Sequence, residues 1–470
     1  MGKISAMMDM GKRSLQNSQT ALQTVGHNIA NKSTEGYSRQ RVEIMANAPV
    51  GEGRLQIGTG ARAGSVTRTN NPWLEKQIQR ENTSLGFSDA RAEALDRVEN
   101  VYNEQMNKGL NQYLTDFFNA FRELSNNPES LTSRTIVREA GVFLANDFKR
   151  VTDQLNDVQD DLDGQVKTVV DEVNMMSKEI ASLNQKIQTI EVQGVPANDE
   201  RDRRDLLLKK MGEKMEISWA ESRDGNLSIT AGSTAILVSG NTANEIMARH
   251  TDERDRVEVF YKATEQGTPV NITGQLKGGR IGGALEIRDR VIEDLLSNVD
   301  KMAFTLAKEV NRAHIEGVDQ RGQPGVLFFD MPESEKGAAR VMKVNQTIAN
   351  DVGRIAAGAR DSAPGDNTIS NMIAAVQYRP VMDGGSATLD DFYNTQVGQI
   401  GTIALRAIKT QEAQKSIISQ LSNIRESISG VSLDEETTKM VEFQKAYDAS
   451  ARMIRTADEM LETVLNLKRL

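Results

Sequence analysis

The residues that could do chemistry are few and scattered. His27, His250 and His314 are the only histidines in 470 residues. No two stand four apart, the spacing that would set both imidazoles on one helix face around zinc. Cysteine is absent, so disulfides, thiolate metal sites and thiol nucleophiles are excluded together. No Ser or Thr sits in a nucleophile motif. Asp199-Glu-Arg-Asp-Arg-Arg-Asp205 has carboxylates enough for a cation and arginines enough for a phosphate, but its alternating signs fit a solvated helix face. Gly278-Gly-Arg-Ile-Gly-Gly283 lacks the Gly-Lys-Ser/Thr ending of a phosphate loop and the spacing of a dinucleotide loop; a tight return from strand to helix explains it. A carboxylate pair of the glycosidase kind is assembled in space and leaves no mark in sequence. Asn31-Lys-Ser33, Asn82-Thr-Ser84 and Asn271-Ile-Thr273 match the glycosylation sequon about as often as chance allows. No catalytic, metal or cofactor-binding residue is assigned, and no enzyme is expected.

Composition points the same way. Apolar residues make up 38% and aromatics 4%, which suits long helices with modest cores. The net charge of -9, with no local basic stripe, argues against a nucleic-acid surface. No apolar run reaches a membrane span, and Met1-Gly-Lys-Ile-Ser-Ala-Met-Met-Asp-Met10 lacks a secretory pattern. The chain is expected to be cytoplasmic or exported without a cleaved signal.

The strongest patterns in the chain lie at its two ends. In heptads, Leu433, Met440, Tyr447, Ile454 and Leu461 form one column, and Phe443, Ser450, Ala457 and Val464 form a second three residues on. That is one narrow apolar seam with charged residues facing elsewhere. A helix from Leu433 to Leu465 would run roughly 50 Å at 1.5 Å per residue. It cannot bury its own stripe. At the other end Ile4, Met8, Gly11, Leu15, Ser18, Leu22, Val25 and Ile29 alternate in steps of four and three, a second coiled-coil seam. Two matched seams springing from one body predict an antiparallel stalk, residues 1–30 against 433–470.

Between the ends, residues 31–195 are expected to hold a loop or hairpin and then long bundle helices. Glycine-rich Arg41 to Arg68 reads as the hairpin, Asn71-Pro72 opens a helix through Trp73, Leu74 and Ile78, and another helix covers Leu85 to Leu124. A rod from about Ser130 to Val192 has the seam Val151, Leu155, Val158, Leu162, Val166, Val169, Val173, Met176, Ile180, Leu183, Ile187, Ile190. Two fours adjoin at Leu162, a stutter that locally unwinds a coiled coil. Period-two patterns mark a β-rich insert within 196–280. A bundle helix is expected over 281–315, a mixed irregular section over 316–384, including the Pro364-Gly365 and Asp383-Gly-Gly385 turns, and another bundle helix over 385–430. The fold class is therefore mainly α with a β-rich insert (α+β).

Gly26-His-Asn-Ile-Ala-Asn-Lys-Ser-Thr-Glu-Gly-Tyr-Ser-Arg-Gln40, with Asn28, Ile29, Ala30, Asn31, Gly36, Tyr37, Ser38 and Arg39 at its centre, resembles the N-terminal signature of bacterial flagellar rod, hook and hook-associated proteins. Phe443-Gln-Lys-Ala-Tyr447 and Ala451-Arg-Met-Ile-Arg-Thr-Ala-Asp-Glu-Met460 resemble the hook-associated protein 1 family, which joins hook to filament, and the likeness spans most of the chain. The resemblance implies a structural protein exported through the flagellar channel and located outside the cell. Its implied partners are copies of itself, hook protein, the second hook–filament junction protein and an export chaperone before secretion. Nucleic acid and membrane are not among them. A hook or rod subunit, or a wall-degrading flagellar enzyme with coiled-coil ends, are the alternatives.

Overall fold

The computed structural model describes residues 2–52, 55–102, 108–222, 224–251, 255–263, 267–330, 332–359 and 365–467. Pro364, in one of the expected turns, lies outside them. Helix α1 spans Gly2–Ala30. A long hairpin follows, with β1 (Gln40–Ala46) paired antiparallel to β4 (Ala61–Arg68) and a short tip of β2 (Val50–Glu52) and β3 (Leu55–Ile57). Helix α2 is Pro72–Val101. It starts where a starter sequence should: the Asn71 side chain accepts from the N–H groups of Trp73 and Leu74, and Pro72 occupies the first turn. The sequence pattern placed one helix over Leu85 to Leu124. Instead α2 runs through to Val101, and a separate α3 covers Leu110–Asn126. Of the first apolar positions of α2, Leu74 and Ile78 are buried and Trp73 is 72% exposed.

The rod α4, Leu131–Glu191, is capped by Ser130, whose hydroxyl accepts from Ser133 N–H. Ten of the twelve predicted seam positions are buried, with Met176 and Ile190 partly so. The helix is unbroken through the stutter, where Gly164 faces open space. Helix α5, Asn198–Lys214, then precedes two small sheets. One orders β5 (Ile217–Glu221), β6 (Leu227–Ala231), β7 (Ala235–Ser239) and β8 (Thr242–Ala243); the other places β10 (Arg256–Tyr261) between β9 (Ile246–Thr251) and β11 (Val270–Asn271). Strands therefore begin only at Ile217, after the helical 198–214.

The return uses the glycine run. Helix α6 (Gly279–Glu286) continues through a π-helical turn, Ile287–Ile292, into α7 (Glu293–Ile315). Gly279 has φ +69, and a β-carbon at Gly283 would stand 2.5 Å from the Phe87 carbonyl oxygen of α2. These glycines serve backbone approach between helices. The section after α7 holds a strand pair, β12 (Gly317–Val318) and β13 (Gly358–Ala359), with short helices α8 (Ala338–Val341), α9 (Gln346–Asn350) and α10 (Thr368–Ala375). It is irregular but not loose: Phe328 and Phe329 are fully buried beside Phe117 and Phe121. The last two helices are α11 (Leu389–Ser429), which lies along α2, and α12 (Leu433–Leu467), which lies along α1.

Asparagines on helices pin the strands and loops to this frame. Asn184 of α4 donates to Leu227 O and Gly240 O and accepts from Leu227 N–H. Asn174, ten residues earlier, both donates to Ile246 O and accepts from Ile246 N–H. Asn311 treats Phe329 the same way. A side-chain amide has the same donor and acceptor as a peptide group, so each replaces the missing strand neighbour.

Candidate functional site: the stalk and its joint

Helices α1 and α12 run antiparallel. Gly11 faces Ile454, Ser14 Oγ lies 2.8 Å from Ser450 Oγ, and Asn28 reaches Glu436 at 2.8 Å. The sequence permits this because the touching column is made of small residues: Gly11, Ser18, Ala21 and Val25 on one helix, Ser450 and Ala457 on the other, all buried. Larger residues flank that line. Ile4, Met8, Leu15, Leu22, Ile29, Met440, Phe443, Ile454 and Leu461 are half-buried, while Tyr447 and Val464 are exposed. Val441 at 55% and Met460 at 48% are more exposed still. The pair thus covers its small residues and leaves much of its large apolar surface in solvent.

At the base of the stalk the signature motif folds into a polar knot. Asn28, 1% exposed, donates to Gln40 O and to Glu436 Oε2 and accepts from Gln40 N–H and the Tyr37 hydroxyl. Burial, then the charges of Asp199, Asp202 and Glu436, raise the Tyr37 pKa, which keeps the phenol a donor. Arg39 Nε donates to Glu436 Oε1 at 2.7 Å, and Nη2 stands 2.8 Å from Glu435. Its own N–H bonds Ser429 O at the end of α11. Burial alone would lower the Arg39 pKa; the Glu436 and Glu435 hydrogen bonds outweigh it and raise it. Gly36 adopts φ +83 as the motif requires, with Leu206 of α5 packed against it. Asn31 keeps a negative φ, and its N–H and side-chain amide both return to His27 O. Ala30 is exposed and Ser38 buried.

The acidic-basic run 199–205 supplies the body's half of the joint, and here the solvated-face reading fails for two residues. Asp202 accepts from Ser38 N–H and pairs with Arg68 at 2.8 Å; Arg204, 1% exposed, bonds Gly225 O and Asn184 and pairs with Glu221 at 2.8 Å. Burial pushes the Asp202 pKa up while Arg68 pulls it back. Alternating charges gave no hint that two of them turn inward. Glu436 was missed as well, though it stands seven residues before Phe443 and heads the second heptad column. Among the described residues, no group of His, Asp or Glu has the arrangement of a metal site, and the larger clefts are open and lined by paired charges.

A long-helix body with a paired terminal stalk is the architecture of a flagellar axial structural protein. Residues 426–467 match the profile described as flagellar basal body rod FlgEFG protein C-terminal, and residues 95–329 match flagellar hook-associated protein FlgK helical domain. Flagellar hook-associated protein 1 of Bacillus subtilis (strain 168) is 31% identical, with 98% of this chain and 97% of that protein covered. That of Escherichia coli (strain K12) is 24% identical, covering 99% and 100%. The flagellar hook junction protein FlgK from Burkholderia pseudomallei has the same fold, with TM-score 0.68 and 14% identity over 75% of this chain and 100% of that one. The chain belongs to the flagellar hook-associated protein 1 family.

Proposed function

We propose that this chain is the structural junction between hook and filament, and that it works by packing and not by turnover. The apolar flank that the stalk leaves uncovered carries the proposal. Met440, Phe443, Tyr447, Ile454, Leu461 and Val464, with Ile4, Met8, Leu15, Leu22, Val25 and Ile29, are then the surface and seam through which neighbouring copies close an inner tube. A helix pair with this much exposed apolar surface is marginal alone and gains by burial between subunits. Hook protein on one side and the second junction protein on the other are the proposed axial partners. A chaperone covers the C-terminal stripe before export, which proceeds without a cleaved signal. In this division 1–30 and 433–470 form the tube, the helices of 31–195, 281–315 and 385–430 form the surrounding bundle together with α5 and 316–384, and of the expected 196–280 insert the strand-bearing part from Ile217 lies outermost.

Hooks from cells lacking the chain test it. Purified native protein should bind their tips and allow filament growth, whereas a Tyr447→Asp/Met460→Asp variant with an unchanged body melt should not. Equal binding by that variant would refute the stalk surface. Incubation with cell-wall material tests the absence of turnover, and sustained release of soluble fragments would contradict it.

A further inference from the structure

Within the body, α2 and α11 pair antiparallel, with Arg425 on Glu75, Gln414 on Glu81 and Gln411 on Asp89. Leu74, Ile78 and Leu421 make a small apolar cluster between them. The chain itself covers one face of this pair. Lys209 of α5 reaches Glu75, Arg425 donates to Gly36 O of the 31–39 link, and Ser422 and Glu426 of α11 line the cleft between. The opposite face is bare. At 3.6 residues per turn, Ile417, Ile424 and Ile428 lie a quarter turn from the seam, on the side away from Ser422 and Glu426. All three are exposed, and so is Trp73, on the side of α2 turned from α5. Along α11 this face reads Thr410, Ala413, Ile417, Gln420, Ile424 and Ser427, every one exposed and spaced three, four, three, four and three. That is an unoccupied heptad seam. None of its positions is charged, although Lys409, Glu412, Lys415, Arg425 and Glu426 share the same half of the helix.

We propose that this face of the α2–α11 pair is a lateral docking surface for a second copy of this chain, with Ile424 at its centre and Trp73 at its edge. The contact rests on the junction reading above and extends it from stalk to body. Three features choose the occupant. The seam runs along the helices of the body, so what covers it lies alongside; hook protein and the second junction protein, as axial partners, meet the chain end-on. It is uncharged, so a strongly acidic or basic partner finds nothing to pair with. It is also small beside the about 800 Å² per partner that a free-standing complex buries. That suits a contact between copies already held close by their stalks, where effective concentration replaces area. Two copies joined seam to seam would stop at a pair. A tube needs the seam of one copy to meet a different side of the next, a heterologous contact.

A photo-cross-linker reads the occupant directly. The full chain carrying Ile424→p-benzoylphenylalanine is bound to hooks from cells lacking the chain, and attachment is seen by electron microscopy before irradiation. Irradiation should join two chains, from position 424 of one to a segment outside α2 and α11 of the other. The same group at Ser422, which faces the chain's own cleft, should lose that product. Hooks left bare before irradiation would overturn the junction reading and this contact with it. Decorated hooks that yield no two-chain product overturn the contact alone. So does a product joining 424 to α11 of the second chain or to hook protein, or an equal yield from Ser422.

Discussion

A β-carbon at Gly11 would stand 2.7 Å from Cγ1 of Ile454, so the stalk helices touch where one residue has no side chain and the other is branched. Gly11→Ala sets a helix-propensity gain of about 1 kcal/mol against that contact and should be near neutral. Gly11→Leu cannot be accommodated without spreading the helices, at about 1–3 kcal/mol. Limited proteolysis should then cut α1 and α12 faster, with the body fragment as resistant as before.

Ile454 tests the other side of the same contact. Ile454→Asp removes apolar burial of about 1.5–3 kcal/mol and places a charge in the seam. Arg455 is exposed, so Arg455→Gln should change little. In cells, Ile454→Asp should reach the medium without attaching to hooks, while Arg455→Gln should swim. Normal attachment of Ile454→Asp would remove the seam from the assembly mechanism.

Gly36→Val forces a β-branched residue into the left-handed region beside Leu206, at roughly 1–3 kcal/mol. The joint should loosen while most of the body melt remains. Hydrogen exchange at the Ser38 and Gln40 amides should accelerate first.

His314 is fully buried; its Nδ1 faces Val326 O at 2.5 Å and its Nε2 accepts from Ala356 N–H. Burial lowers its pKa to about 4. Neutral imidazole is therefore the folded form, and the unfolded chain binds the extra proton between about pH 6.5 and the folded value. This contribution is complete above the unfolded pKa and declines as pH falls towards the folded one. From pH 7 to pH 5 the native protein should lose about 2 kcal/mol that His314→Gln does not lose. Urea unfolding of both proteins at the two pH values gives the difference directly, and parallel pH profiles would show that His314 is not the sensor.

Asn184→Ala strands Leu227 N–H, Gly240 O and an Arg204 guanidinium N–H together. Each costs about 1–3 kcal/mol if left unpaired. The insert should loosen from α4 before the helices melt, seen as lost amide protection at Leu227 ahead of Val166.

What could be read from the sequence was periodic. The α4 seam, the α7 positions Leu295, Val299, Met302, Leu306 and Val310, and the paired terminal stripes all follow from helical spacing, and all five α7 positions are buried. The joint was legible only in part. The Asn28–Arg39 signature was recognised by its residues, but Glu436 and Asp202 bond it from 408 and 164 positions away, and such pairings leave no local pattern. Phe328 and Phe329 were lost for a related reason. Their burial depends on α3 aromatics more than two hundred residues earlier, inside a section whose own signals are weak.

The polar makeup of the joint also fixes how it responds to temperature. The heat capacity of an unfolding step scales with the apolar area it exposes. The body, with its long apolar core, should follow a curved stability profile that weakens in the cold as well as in the heat. Opening the joint exposes little such area, so its free energy should run almost linearly with temperature. A cell that cools would find the body's reserve changing along a curve and that of the joint changing in simple proportion to temperature.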